Sequence, residues 1–198
     1  MNSDATTRDR IIEAGLKVFS EKGYLGATTQ KIARCAGVAE VTLFRQFSSK
    51  EKLFEEVINR YSFLPALKGL LPDLKDMPYR DALLVIAEEF LKILRQRRDL
   101  LRIILGELHR SERLSEISRQ FTGEMFKTLA LYFREMQAAE KLRSFDAEYA
   151  ARAFLGMFYA FFIREEFLSG KKIRKAGLNK AVKEFIDIFA LGTLKREY

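Results

Sequence analysis

Apolar residues recur every three or four positions along almost the whole chain, the spacing that turns one face of a helix inward. Ile12, Leu16 and Phe19 form the first such stripe, in a helix predicted over 7–22. Thr6 and Asp9 have capping-box spacing at its start, and Gly23 suits its C-terminal cap. Two short helices follow. One begins at Thr28-Thr29, either of which can cap it, and ends at Gly37; the other spans about Ala39–Phe47. Ser48 and Glu51 predict a second capping box, opening a helix that reaches Tyr61. Residues 65–78, punctuated by Pro65, Pro72 and Pro78, read as a connector with a short helical turn.

Beyond the connector the pattern predicts five more helices. They cover about Tyr79–Arg97, with the stripe Leu83, Ile86, Phe90 and Leu94; a span from an Asp99 cap to His109; Ser115–Ala139; a span from an Asp146 cap to Ser169-Gly170; and Leu178–Lys195. The expected fold is all-α.

Composition changes this picture only in places. Nearly half of the 198 residues are hydrophobic, enough for a substantial core, and there are 17 Phe but no Trp. The net charge of +8 invites a nucleic-acid reading, but residues 1–60 hold ten Lys/Arg against eight Asp/Glu, so most of the excess lies further on. The local balance over 28–52 is more telling: Lys31, Arg34, Arg45, Lys50 and Lys52 face only Glu40 and Glu51. Cys35 stands alone, which excludes an intrachain disulfide or a CxxC metal site, and reads as a small packed residue. His109 is the only histidine and reads as structural or surface, so no metal and no cofactor are expected. HExxH, Walker A and GxSxG patterns are absent, which argues against an enzyme. The opening MNSDATTRDR has no apolar signal core, and the apolar run 150–162 is short and contains Arg152. A cytoplasmic protein with no membrane partner is the expectation. The basic run 171–175 reads as a solvated loop.

Two short helices joined at Gly37-Val38 have the length and turn chemistry of a helix-turn-helix. On a helical wheel Leu43 and Phe47 share the inward face of the second helix, and Val41 and Arg45 point away with Phe44 on their flank. An outward face of this kind can enter the major groove. Arg45 can donate to guanine or phosphate, and Val41 or Ala39 can touch a thymine methyl. The N-terminus of the preceding helix, with two Thr hydroxyls, suits a phosphate, and Lys50 is placed for another. A helical interaction module without DNA binding is the competing reading, for which Glu40 and Phe44 argue best.

The string Gly23-Tyr24, Thr28-Thr29, Ile32-Ala33, Ala36-Gly37-Val38, Thr42-Leu43-Phe44, Phe47 and Ser49-Lys50-Glu51-x-Leu53 resembles the TetR family of bacterial transcriptional regulators over roughly residues 8–55. The resemblance implies an N-terminal three-helix DNA-binding domain, a C-terminal helical domain for a small-molecule inducer, and a homodimer on palindromic double-stranded operator DNA. It implies phosphate contacts at Thr28 or Thr29 and Lys50, and a groove-facing set of Ala39, Glu40, Val41, Phe44, Arg45 and Gln46. Departures sit within that set. Many members have Ser at the position of Ala39, Gly at Val41 and Tyr at Phe44, whereas Glu40 repels phosphate and either reads cytosine N4 or faces solvent.

The expected division is a DNA-binding domain over 1–50 and a regulatory, ligand-binding and dimerisation domain over 51–198. Phe90, Leu94, Phe126, Phe158 and Phe162 are the candidate ligand-binding residues, because the body carries more bulky aromatics than a tight small core needs. Arg95, Arg102, Glu107, Tyr132 and Tyr159 are candidate polar contacts. Small residues mixed with Phe and Met on the last two helices suit a four-helix dimer interface, with Phe154, Met157, Phe161, Phe185 and Phe189 as its candidates.

Overall fold

A computed structural model describes residues 6–169 and 175–195. Within them the chain forms ten α-helices: α1 (Thr7–Gly26), α2 (Thr29–Ala36), α3 (Glu40–Gln46), α4 (Lys50–Tyr61), α5 (Phe63–Leu74), α6 (Tyr79–Gln96), α7 (Arg98–Glu107), α8 (Glu112–Ala138), α9 (Ala147–Ile163) and α10 (Lys175–Thr193). A 3-10 turn follows α7, and a π-helical turn over Arg164–Leu168 follows α9. The basic run 171–175 and Gly170 lie outside the described residues, apart from the backbone of Lys175.

Several helix ends are where local chemistry puts them. Thr6 and Asp9 form the expected reciprocal capping box on α1. Asp146 caps α9 by accepting from the N–H groups of Glu148 and Tyr149. Other ends differ. Ser49, not Ser48, caps α4, and Arg97 precedes α7 with Asp99 inside its first turn. Gly23, at φ +75°, kinks α1 and does not end it. The segment expected to be a connector is mostly α5. Its Phe63, Leu67 and Leu74 are buried at helical spacing, and Pro65 lies in the first turn, where an N–H has no partner to lose.

The chain forms two compact units. One comprises the described residues up to Ser62 together with Arg97–Phe121. Its core joins Phe19, Tyr24, Ile32, Leu43, Phe47, Leu53 and Phe54 to Leu100, Leu114 and Ile117. The expected boundary at residue 50 therefore falls inside this unit: α4 and α7 complete the core over which α2 and α3 are laid. The other unit comprises Phe63–Gln96 and the described residues from Thr122 onward. Its interior is aromatic, with Phe154 stacked edge-on against Phe158 at 5.1 Å and Phe189 at 5.0 Å.

Candidate nucleic-acid interface

The turn between α2 and α3 is set by Gly37. It adopts φ +67° and ψ +37°, the left-handed conformation that Gly alone reaches at little cost. There the Gly37 N–H donates to the Arg34 carbonyl and the Val38 N–H to the Ala33 carbonyl, a Schellman closure of α2. Ala39 then starts α3 with no side-chain cap. Leu43 and Phe47 are buried, and Val41, Phe44 and Arg45 are exposed, the division the wheel predicts. Ala39 is also exposed; Glu40 and Gln46 are half-buried, and the Gln46 carbonyl accepts from Arg8 at 3.2 Å.

The polar groups at this surface have distinct attachments. Thr28 caps α2, its hydroxyl oxygen accepting from the Lys31 N–H at 3.2 Å, which leaves its own O–H to donate outward. Thr29 is committed inside the chain: its hydroxyl donates to Glu40 Oε1 at 2.5 Å, tying the start of α2 to the start of α3. Lys50 donates to the Tyr24 carbonyl at 2.9 Å and the Ala27 carbonyl at 3.1 Å, with its ammonium 4.3 Å from the Tyr24 ring centre. An ammonium has three donors, and two of them are used in these bonds. Lys31 and Arg34 are exposed on α2.

Beneath the surface, Tyr24 links the end of α1 to α4. Its ring packs edge-on against Phe54 at 5.0 Å, and its hydroxyl donates to Glu51 Oε1 at 2.6 Å. That bond holds the Glu51 carboxyl below its ordinary range, and burial together with Glu51 pushes the Tyr24 phenol up. Glu107, at the end of α7, accepts from the backbone N–H groups of Tyr24 at 2.8 Å and Leu25 at 3.4 Å. Sequence reasoning sets Glu107 among ligand contacts and misses this role, for which a residue 83 positions away gives no local signal. Cys35 is exposed, contrary to expectation, because Ile32, Ala33 and Ala36 take the inward face of α2.

In the second unit Phe90, Leu94, Phe158 and Phe162 are buried and Phe126 is half-buried. Phe90 packs on Phe63, Phe158 on Phe154 and Phe185, and Phe162 on Phe167, while the Arg152 guanidinium lies 5.8 Å from the Phe126 ring centre. Arg95 faces Glu166 at 3.8 Å, and Tyr159 is half-buried. The Tyr132 hydroxyl is buried without a hydrogen-bond partner among the described residues. In the first unit Arg102 pairs loosely with Asp99 on an exposed surface.

Two of the candidate dimer residues need correction. Phe154 and Phe189 are buried in the chain's own core, each the other's edge-on neighbour, which leaves little of either ring to face outward. Met157, Phe161 and Phe185 are half-buried, with Phe161 and Phe185 5.6 Å apart at the seam of α9 and α10. Tyr149 (70 % exposed) on α9 and Ile188 (63 %) and Leu191 (65 %) on α10 are exposed apolar residues of the same two helices.

Fold and interface together define a helix-turn-helix DNA-binding regulator. Comparison with known proteins makes this specific. The profile of bacterial regulatory proteins of the TetR family matches residues 11–57, and that of the C-terminal domain of AefR-like transcriptional repressors matches residues 81–191. The chain is 28% identical over 172 residues to the HTH-type transcriptional regulator YvkB of Bacillus subtilis, covering 84% of this chain and 87% of that protein. It is 32% identical over 141 residues to the nucleoid occlusion factor SlmA of Aliivibrio fischeri, 69% of each chain. The same fold occurs in a protein of Mesorhizobium loti described as a TetR-family transcriptional regulator, with TM-score 0.81, 22% identity and coverage of 96% of this chain and 97% of that one. It occurs again in GusR of Salmonella enterica, with TM-score 0.71, 21% identity and 93% of each chain covered. The chain belongs to the TetR family: it is a DNA-binding transcriptional regulator, in a family of regulators and not of enzymes. Among the described residues no helix is long and apolar enough to cross a membrane.

Proposed function

We propose that the protein is a cytoplasmic homodimeric repressor that leaves a palindromic operator when a small apolar or amphipathic ligand binds its helical body. The observation that carries this reading is α3 itself. Its inward face is fully used by Leu43 and Phe47, and Val41, Phe44 and Arg45 are left outward on a rigid scaffold. Arg45 and Gln46 would contact bases, and Thr28, Lys50 and the start of α2 would hold phosphates. The Thr29 hydroxyl would act through Glu40, to which it donates, while the Thr29 backbone N–H belongs to the start of α2.

The dimer face follows from α9 and α10. Tyr149, Ala153, Gly156 and Ala160 are exposed at helical spacing on α9, as are Ile188 and Leu191 on α10. Gly156 stands in mid-helix, and apart from the adjacent turns of its own helix no described residue comes within 4 Å of where a Cβ would be. A mid-helix Gly costs about 1 kcal/mol relative to Ala, and close approach of a second helix is a reason to retain it. The aromatic interior of the second unit supports the ligand proposal, because apolar ligands are held by such linings. A ligand can release the operator only by favouring one of two conformations.

Titration of a labelled duplex from the chain's own upstream region, at several salt concentrations, tests the reading. Sequence-specific binding that weakens steeply with salt is expected. Binding equal to that of unrelated duplexes would overturn it.

A further inference from the structure

Val41 and Phe44 are three residues apart on α3, so their side chains lie about 60° apart on the same face. Val41 is 75 % exposed and Phe44 46 %. A single exposed apolar side chain is ordinary, but an adjacent pair on the face left over by a filled core is informative. Leu43 and Phe47 already supply the inward packing, so the head's stability does not call for apolar groups on the outside. Beside the pair stand exposed Arg45 and the Glu40 carboxylate, the latter fixed by Thr29.

Base edges in the major groove consist of hydrogen-bond donors and acceptors, with one apolar exception, the C5-methyl group of thymine. Val and Phe can pair with none of the polar edges, and covering those edges would strip water from them without replacement. The pair is therefore matched to methyl groups. We propose that Val41 and Phe44 read thymine C5-methyls, so that each operator half-site carries two thymines beneath α3. This rests on the reading that α3 enters the major groove. Side chains at i and i+3 have Cβ atoms about 5–6 Å apart, which places the two methyls on neighbouring or next-neighbouring base pairs. Glu40 adds a constraint of its own. One of its oxygens accepts from Thr29, and its remaining acceptor capacity favours an exocyclic amine over a phosphate next to the methyl pair.

The test uses the full chain and a preferred duplex selected from a pool of random sequence. Each half-site thymine is replaced singly by deoxyuridine, which removes the methyl and leaves the pairing edges and phosphates unchanged. Two positions per half-site should lose about fourfold in affinity, the value of one buried methyl. The loss at one position should vanish in Val41→Ala, and at the other in Phe44→Ala. Replacing such a thymine by 5-methylcytosine should retain more affinity than replacing it by cytosine. Equal affinity for thymine and deoxyuridine duplexes, or a penalty unchanged in both variants, would overturn the methyl proposal alone. Failure of the pool to yield any preferred sequence would overturn the regulator reading beneath it.

Discussion

The carboxylate of Glu107 accepts the backbone N–H of Tyr24 at 2.8 Å, joining the end of α7 to the kinked end of α1. The kink at Gly23 frees N–H groups that a straight helix would satisfy, and Glu107 supplies their acceptor. Removing it in Glu107→Ala should cost about 1–3 kcal/mol, the range for a buried donor left unpaired. Glu107→Gln, which keeps one carbonyl oxygen, should cost less. Urea denaturation of the two variants beside the parent chain checks this order.

Gly23 and Gly106 should respond oppositely to alanine. Gly23 has φ +75°, and a Cβ there would run into the Glu107 carboxylate and lie 3.0 Å from Ile103 Cγ2. Gly23→Ala should therefore lower stability by at least ~1–2 kcal/mol. Gly106 is helical, and apart from the adjacent turns of its own helix no described residue lies within 4 Å of an added methyl, so Gly106→Ala should raise stability by about 0.5–1 kcal/mol. Thermal melts of the two variants should move apart in opposite directions.

Two pH limbs should be visible. Hydrogen bonds from Thr6, and then Arg60, lower the Asp9 carboxyl from 3.8 to about 2. Its support for α1 is thus complete above about pH 4 and lost as pH falls through about 2. Asp9→Asn should flatten the acid limb of a melting-temperature profile. At the other end, burial pushes the Tyr132 phenol up to about 12, so its contribution holds below 10.0 and is lost as pH rises through about 12. Because that hydroxyl has no hydrogen-bond partner among the described residues, Tyr132→Phe should be neutral or stabilising by up to ~1 kcal/mol at pH 7 and should reduce the alkaline loss.

Ile188→Glu with Leu191→Glu places charges on the proposed dimer face at positions that are exposed within the chain. The double variant should sediment as a monomer with its helical content retained, and should bind a two-half-site operator much more weakly than the parent. A sedimentation profile equal to the parent's would remove this face from the dimer.

What the sequence made legible was local. Thr28, Gly37, Leu43 and Phe47 fix α2, the turn and α3 through capping, a left-handed Gly and an inward stripe, none of which needs a distant residue. The body was less legible for three physical reasons. Pro65 and Pro72 read as breakers although the first sits where a helix tolerates it, which hid α5. The helices α9 and α10 are apolar on more than one face, so periodicity could not separate Phe154 and Phe189 in the core from Ile188 and Leu191 outside it. Glu107 acts across 83 residues, a relation that only folding brings about.

The central claim is that the outward face of α3 reads DNA, and Arg45 tests it most directly because it is exposed and its loss leaves the head's core intact. Fluorescence anisotropy with the preferred duplex should show Arg45→Ala binding weaker by about 1–3 kcal/mol, at an unchanged melting temperature. Affinity and sequence preference equal to those of the parent chain would contradict the account.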